Sequence, residues 1–449
     1  MKRIVILLAA VSIMAVLPHA WAAQGNSKPV TSQLVLTPGT YQCVWTMPED
    51  DQKGPWLDGP YGYCNLDDKL QDQVKGKPAL KSEKPIYGQV VFSDEAMGSE
   101  GDSIKGILFA LDESGGTDKG YDTLYLDVNR NLDLSDDPAV TGKVTDQGSG
   151  KNIQFESAAK LPYNQITGGS NTNITQMDIQ VAQPAEDYTY CSASLNGCWS
   201  GEIGSNHGKI PFMLADMSGD GVYGTNWELP SEIIKMGDTL QLSLTGDKDF
   251  GDANDPYQEQ YFFSKAVSVA GKLYVFTPSK SGDKLRVSTY TGPAAHLAFK
   301  TVPIKKTSLK AKTVLAAGET GMYWLPNDGK PMNVPAGKYK IYMAMLEATD
   351  SKGKTWSVQA MPTEKSAVSI AKGKTVTMEI GGPIKMSIAS DTPDIVIEPG
   401  GELKVNLAFT FSTGQNAGGI NQIGSQIQPK IVLKNTKGKV LDEQTAGFG

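Results

Sequence analysis

The stretch TLYLDVNRNLDLSDDP (residues 123–138) opens as a short strand and passes within one residue into a run of acids and amides. Thr123, Leu124, Tyr125 and Leu126 mix β-branched, aromatic and aliphatic side chains, the composition that suits a pleated, half-buried surface. Asp127, Asn129, Asn131 and Asp133 then set a short oxygen-bearing side chain at every second position. The same unit recurs in PFMLADMSGDGVYG (211–224) and TLQLSLTGDKDFGDANDP (239–256). The three loops start 89 and then 31 residues apart, so the chain is not a fixed-period solenoid.

Outward from these units the pattern stays strand-like. IYGQVVF (86–92) and IKGILFAL (104–111) are apolar runs bounded by Gly, Asp and Ser, with no convincing helical stretch between them. After residue 300 the chain reads as hairpins: AGKYKIYMAMLEATD (336–350), KTVTMEIGGPIKMSIAS (374–390), GGELKVNLAFTFST (400–413) and PKIVLKNTKGKVLDE (429–443). In the third, Leu403, Val405, Leu407, Phe409 and Phe411 alternate with Lys404, Asn406, Ala408 and Thr410, the mark of a strand with one buried face. With 48 Gly, 25 Pro and 39% hydrophobic residues in 449, the chain is too apolar for disorder and too rich in turn formers for a helical bundle. The expectation is an all-β, multidomain protein: two calcium-loop β-units at 23–165 and 166–303, then one or two small β-sandwich modules, Ig-like or transthyretin-like, at 304–388 and 389–449.

Residues 1–22 read as a signal peptide: Lys2 and Arg3, an apolar run from Ile4 to Val16, and Ala20-Trp21-Ala22 with small residues at both recognition positions. A secreted or periplasmic protein follows, with no transmembrane segment in the mature chain. Past residue 22 the balance is 40 basic against 49 acidic side chains, and it is uneven: residues 23–300 carry 22 and 37, residues 301–449 carry 18 and 12. Only two Arg remain, Arg130 and Arg286, so phosphate-rich nucleic acid is excluded as a partner class. Four Cys, at 43, 64, 191 and 198, suit an oxidising compartment, and Cys43 with Cys64 and Cys191 with Cys198 is the simplest of three connectivities.

Calcium takes six to eight hard oxygens, and an Asp or Asn at alternate positions lets one tight loop turn its side chains onto a single centre. Asp127, Asn129, Asn131, Asp133 and Asp137 are the candidate ligands of a first Ca2+ site, and Asp216, Ser218 and Asp220 of a second. Asp247, Asp249, Asp252, Asn254 and Asp255 supply donors to the third loop without the spacing. The competing explanation is an acidic turn whose Asp and Asn satisfy local backbone donors and need no ion. The first loop resembles the EF-hand and dockerin calcium loop, with donors at the first, third, fifth and ninth places and apolar Leu134 at the eighth. It departs at Leu132, where the family has a turn Gly, and at Pro138 in the twelfth place, which leaves Asp136 or Asp137 as the closing acid. The second loop has Gly221 and an apolar eighth residue, Tyr223, but Trp227 in the twelfth place. Much of residues 85–449 resembles exported bacterial β-rich proteins, uncharacterised in activity, that join such loops to β-sandwich tails.

The aromatics Trp45, Trp56, Tyr61 and Tyr63, with Asp50, Asp51 and Asp58 among them, form a candidate platform for sugar rings. Past the leader the His residues are His207 and His296, and neither is framed by a nucleophile motif. Two functions follow: an exported, calcium-binding, non-enzymatic structural or glycan-binding protein with carbohydrate or cell-surface partners, or a secreted glycoside hydrolase using a pair of carboxylates.

Overall fold

The structure is a computed structural model that describes residues 34–47, 60–92, 106–146, 150–184, 189–227, 237–244, 260–305, 307–363, 366–389, 406–422, 425–426, 430–434 and 440–445. The leader at 1–22, Trp56, the acids at 50, 51 and 58, and the acidic run at 247–255 lie outside those residues. The chain is all-β. Its elements run β1 (Gly39–Thr46), β2 (Tyr61–Asp67), β3 (Ile86–Val91), β4 (Ile107–Asp112), β5 (Thr123–Leu126), β6 (Val140–Thr141), β7 (Lys143–Asp146) and β8 (Gly150–Pro162). A single helical turn, α1 (Tyr163–Thr167), leads to β9 (Ile174–Pro184), β10 (Tyr190–Asn196), β11 (Cys198–Ser205), β12 (Gly208–Ala215), β13 (Thr239–Leu242), β14 (Gln260–Phe262), β15 (Val267–Val269) and β16 (Lys272–Pro278). Among the described residues no helix is long and apolar enough to cross a membrane.

Two compact units form, and the first takes the described residues within 1–227, 236–263 and 275–289. One of its sheets has nine strands in the order β6-β5-β4-β3-β2-β10-β9-β8-β7. Strands β2 to β6 form one antiparallel meander and β7 to β10 another, and the two join where β2 pairs with β10. Strands from both sides of residue 165 therefore share one sheet. The sheet curls: Gly142, just past β6, sits so close to Ile153 and Phe155 of β8 that an added Cβ would lie 2.5 Å from the Ile153 side chain. The concave face buries Phe109, Leu111, Leu124, Ile153, Phe155, Met177, Ile179 and Val181 in one cluster. These side chains follow the period of two along each strand, as one buried sheet face requires. A bulge between Phe155 and Ala159, with Ser157 at φ 52°, lets β8 bend with the curl.

The other sheet of this unit runs β14-β13-β12-β11-β1 and continues through β17 (Lys284–Thr289). In β12 both faces are covered from Ile210 to Ala215, which explains its unbroken apolar sequence. The acidic loops begin where β5 and β12 end, as the strand-then-loop reading expects.

The second unit takes the described residues within 264–274 and 290–449. Its main strands are β18 (Ala294–Val302), β19 (Thr307–Gly318), β20 (Gly321–Trp324), β21 (Met332–Pro335), β22 (Gly337–Asp350), β23 (Thr355–Met361), β24 (Val368–Ile370), β25 (Thr375–Gly381), β26 (Ile384–Ala389), β27 (Asn406–Phe411) and β28 (Asn416–Gln422). A three-stranded sheet, β21-β18-β25, and a larger one, β20-β19-β22-β23-β28-β27-β26, share one core that includes Leu297, Phe299, Val314, Ile341, Leu346, Ile380 and Phe411. The shared core makes a β-sandwich. Strands from both sides of residue 389 lie in the larger sheet, and β27 carries Phe411 into the common core.

All four cysteines are free thiols, which corrects the expected Cys43–Cys64 and Cys191–Cys198 bridges. The reason is topological: Cys43 and Cys198 belong to β1 and β11 of one sheet, Cys64 and Cys191 to β2 and β10 of the other.

Phe155 is wholly buried at the centre of the curled sheet. Phe155→Ala should cost about 3–5 kcal/mol of stability, read as a lower denaturant midpoint for the first unit.

Candidate functional site

In the first loop, Asp127 leaves β5 buried and turns its carboxylate back on its own chain. Its Oδ1 accepts the Asn131 N–H at 3.0 Å and its Oδ2 the Leu132 N–H at 3.1 Å. To bring those N–H groups round, Arg130 and Leu132 take φ 56° and 65°, the left-handed region that disfavours a Cβ. Leu132 thus adopts the conformation of the glycine that its place in the resemblance calls for. Asn131 donates from its backbone to Asn129 Oδ1, Asp133 to Asn131 Oδ1, and Ser135 to Asp133 Oδ1. The loop is anchored by Leu134, which packs beside Tyr87, Leu108 and Ala110 on the convex face of the sheet. Residues 75–76 clamp it from outside: Lys75 N donates to Leu132 O, Leu134 N to Gly76 O, and Lys75 Nζ to Asn131 O at 2.9 Å. Gly76 leaves room for the Asp133 carboxylate, which a Cβ, 1.9 Å from Oδ1, would push aside.

The second loop repeats this backbone form. Asp216 leaves β12, its Oδ1 accepts the Gly219 N–H and its Oδ2 the Gly221 N–H, both at 2.8 Å. Gly219 and Gly221 take φ 68° and 73°, matching Arg130 and Leu132 at the fourth and sixth places. Ser218 Oγ donates to Asp216 Oδ1, and Asp220 Oδ1 accepts the Val222 N–H. Tyr223 at the eighth place is buried, like Leu134 in the first loop. Tyr163, in α1, donates its hydroxyl to Asp216 Oδ2 at 3.1 Å, and its ring lies 6.4 Å from that of Tyr223.

The structure adds one acid that the motif reading missed. Asp238, just ahead of β13, accepts Ser218 Oγ at 3.4 Å on Oδ1 and the Gly224 and Thr225 N–H groups on Oδ2. It is wholly buried, as is its backbone carbonyl, which accepts the Trp227 indole N–H at 2.9 Å. Asp238 stands 22 residues after Asp216, beyond any loop window. The signal in the sequence was a lone acid at the head of the alternating strand Thr239–Leu242, a position where a buried carboxylate needs dedicated donors.

Charge accumulates in both loops. Burial pushes the Asp137 carboxyl up to about 6, and the charges of Asp127, Asp136 and Asp133 push the same way against the Val128 N–H. Asp137 Oδ2 is buried with no hydrogen-bond partner, whereas Asp136 accepts the side-chain amides of Asn129 and Asn131. Asp216 is also pushed up to about 6 by burial and by Asp220, and Asp238 is raised by burial and by Asp216. Asp133 moves the other way, lowered by Ser135 and by Lys75. Among the described residues no three His, Cys, Asp or Glu side chains gather closely enough to hold a metal ion by themselves. The oxygens of Asn129, Asn131, Ser218 and the backbone fall outside that set.

A third acidic turn gives the contrast. Asp112 and Glu113 are buried at the end of β4, and each is met by several donors: Lys81 N and Ser82 N on Asp112, Ser82 Oγ, Asp118 N and Gly120 N on Glu113. Its charge is absorbed by hydrogen bonds alone.

The aromatic candidates separate. Trp45 meets Tyr163 and Trp199 edge-on, with centroids 5.6 and 5.4 Å apart, and its indole N–H donates to Ile174 O. Tyr61 and Tyr63 lie on β2, opposite Ser194 and Ser192. His207 is exposed in the turn between β11 and β12, and His296 lies on β18 opposite Asn333. Asp216 and Asp238, both raised by burial, are 1% and 0% exposed. They do not offer the open cleft between two acids that glycoside hydrolysis needs.

No family model matches the chain, and no curated protein or solved structure matches it.

The left-handed positions carry the loop form, so Gly219→Ala and Gly221→Ala should each cost more than about 2 kcal/mol. Their added Cβ atoms would stand 2.1 Å from Phe92 O and 2.6 Å from Gly169 backbone atoms. Gly39→Ala, whose nearest neighbour is 3.4 Å away, should change the urea midpoint little. A second expectation concerns acid. Asp137 and Asp216 titrate near 6 when folded and near 3.9 when unfolded, so between pH 4 and 6 the folded state binds more protons and stability falls as pH rises. In chelator, the first unit's thermal midpoint should therefore climb as pH is lowered from 7 to 5.

Proposed function

We propose that each acidic loop binds a calcium ion and that the protein is an exported, non-enzymatic β protein whose strand ends are stiffened by the metal. The observation that carries this reading is the surplus charge in two loops of one backbone form, seen most directly in the buried, partnerless Asp137 Oδ2. A divalent cation relieves what the local N–H groups leave: like charges held together out of water. In the first loop Asp127, Asn129, Asn131, Asp133 and Asp137 supply the oxygens; in the second Asp216, Ser218 and Asp220 do so, with Asp238 in the part of the missing closing acid. Oxygen donors of this kind suit calcium, which tolerates irregular shells of six to eight, better than magnesium, which demands an octahedron. The leader-like residues 1–22 support an extracellular or periplasmic setting, where calcium is abundant enough for imperfect loops with dissociation constants of about 10⁻⁴–10⁻³ M.

Calcium at 100 times its dissociation constant should add about 2.7 kcal/mol per site, about 5.4 kcal/mol for the two sites of the first unit, raising its thermal midpoint by on the order of 10 °C over the same protein in chelator. Calorimetric titration should count two sites, falling to one in Asn129→Ala and in Asp220→Ala, both of which alter exposed side chains. An unmoved midpoint and no titration heat at millimolar calcium would refute the reading.

A further inference from the structure

The joint between the two meanders of the curled sheet holds a pair of thiols. Across β2 and β10, Tyr61 lies opposite Ser194, Gly62 opposite Ala193 and Tyr63 opposite Ser192. Both strands run on by a residue, and continuing the same antiparallel register one step sets Cys64 of β2 opposite Cys191 of β10. Directly opposed residues in such a ladder have Cα atoms about 4.5–5.5 Å apart, within the 4.4–6.8 Å that a disulfide spans. We propose that Cys64 and Cys191 form a cross-strand disulfide that locks the seam of the nine-stranded sheet, leaving Cys43 and Cys198 as permanent thiols.

The two thiols also act on each other: burial and then the neighbouring Cys191 raise the Cys64 thiol. The remaining pairings fail on geometry. Thr46 is the residue opposite Cys198, so Cys43 is displaced three places along the strand, roughly 10 Å, which exceeds the reach of a disulfide. The other four pairings, Cys43 or Cys198 with Cys64 or Cys191, each join residues of different sheets. Burial pushes the Cys43 and Cys198 thiols up to about 12, which keeps both in the unreactive protonated form.

Placement gives the bond its purpose. Every other pairing in this sheet joins strands adjacent in the sequence, whereas β2 and β10 are brought together across the whole of both meanders. A link there closes a loop of well over a hundred residues, the case in which chain-entropy stabilisation is largest. The chemistry is thiol–disulfide exchange with a small disulfide oxidant. The Cys64 thiolate attacks one oxidant sulfur and expels a thiolate; the Cys191 thiolate then attacks the Cys64 sulfur of the mixed disulfide and expels the second. Two protein thiols lose two protons and two electrons, and one oxidant disulfide becomes two thiols. Burial raises the Cys64 thiol well above its ordinary range, so exchange proceeds as the sheet assembles rather than in the closed fold.

The full chain, reduced and unfolded, should be refolded with oxidised and reduced glutathione, alkylated, digested and mapped by mass. The soluble product should carry a Cys64–Cys191 linked peptide, short of two hydrogens, with Cys43 and Cys198 alkylated. Adding reductant should lower its thermal midpoint by on the order of 10 °C. The Cys43→Ser/Cys198→Ser double variant should keep both the link and that drop, whereas Cys64→Ser and Cys191→Ser should lose them. A soluble product with four alkylated cysteines, or with any other pairing, would overturn the proposal. This outcome is independent of calcium, because the mapping is done in chelator.

Discussion

The described first unit depends on how a carboxylate at the end of a strand is satisfied. At Asp127 and at Asp216 the solution is the same: the side chain reaches forward to N–H groups three to five residues ahead, and the backbone goes left-handed at two places to present them. Once that turn is set, the next side chains are committed. An oxygen donor falls at each alternate position, and the eighth residue is carried back onto the sheet, where Leu134 and Tyr223 are buried. The acidic loops are thus continuations of strands β5 and β12, and their geometry inherits the rigidity of the sheets behind them.

That construction also separates turns that are complete from turns that are not. Around Asp112 and Glu113 the donors match the acceptors and the charge is spread over neighbouring amides. In the Asp127 loop four acids stand within eleven residues, and the last of them, Asp137, takes the Val128 N–H on one oxygen and keeps the other buried without a partner. Neighbouring Lys75 supplies one positive charge and steadies Asp133, without reaching Asp137 with a hydrogen bond. The surplus is what distinguishes a loop that invites a cation from one that is only a turn.

Much of this was legible before any coordinates. Alternation at 123–126 marks a strand whose Leu124 and Leu126 point into the curled sheet, and a strand ending in an acidic loop appears where the spacing placed it. What local patterns could not carry was pairing at long range. Nothing in the text around Cys64 points to Cys191, because register is fixed by the buried face of the assembled sheet rather than by neighbours in the chain. Asp238 was hidden for the same cause: its partners Ser218, Gly224 and Thr225 belong to another segment. The partners of Trp45 were equally out of sight, since Tyr163, Trp199 and the Ile174 carbonyl lie more than a hundred residues away in the sequence.

The β2–β10 seam has a kinetic side as well. While β2 to β6 are already available on the growing chain, the free edge of β2 must wait until residue 196 has been made. At ordinary rates of synthesis that wait is on the order of ten seconds, during which an unpaired apolar strand edge is open to other chains. A chaperone that guards extended edges, or a delay in folding until the chain is complete, is the natural answer to such a topology.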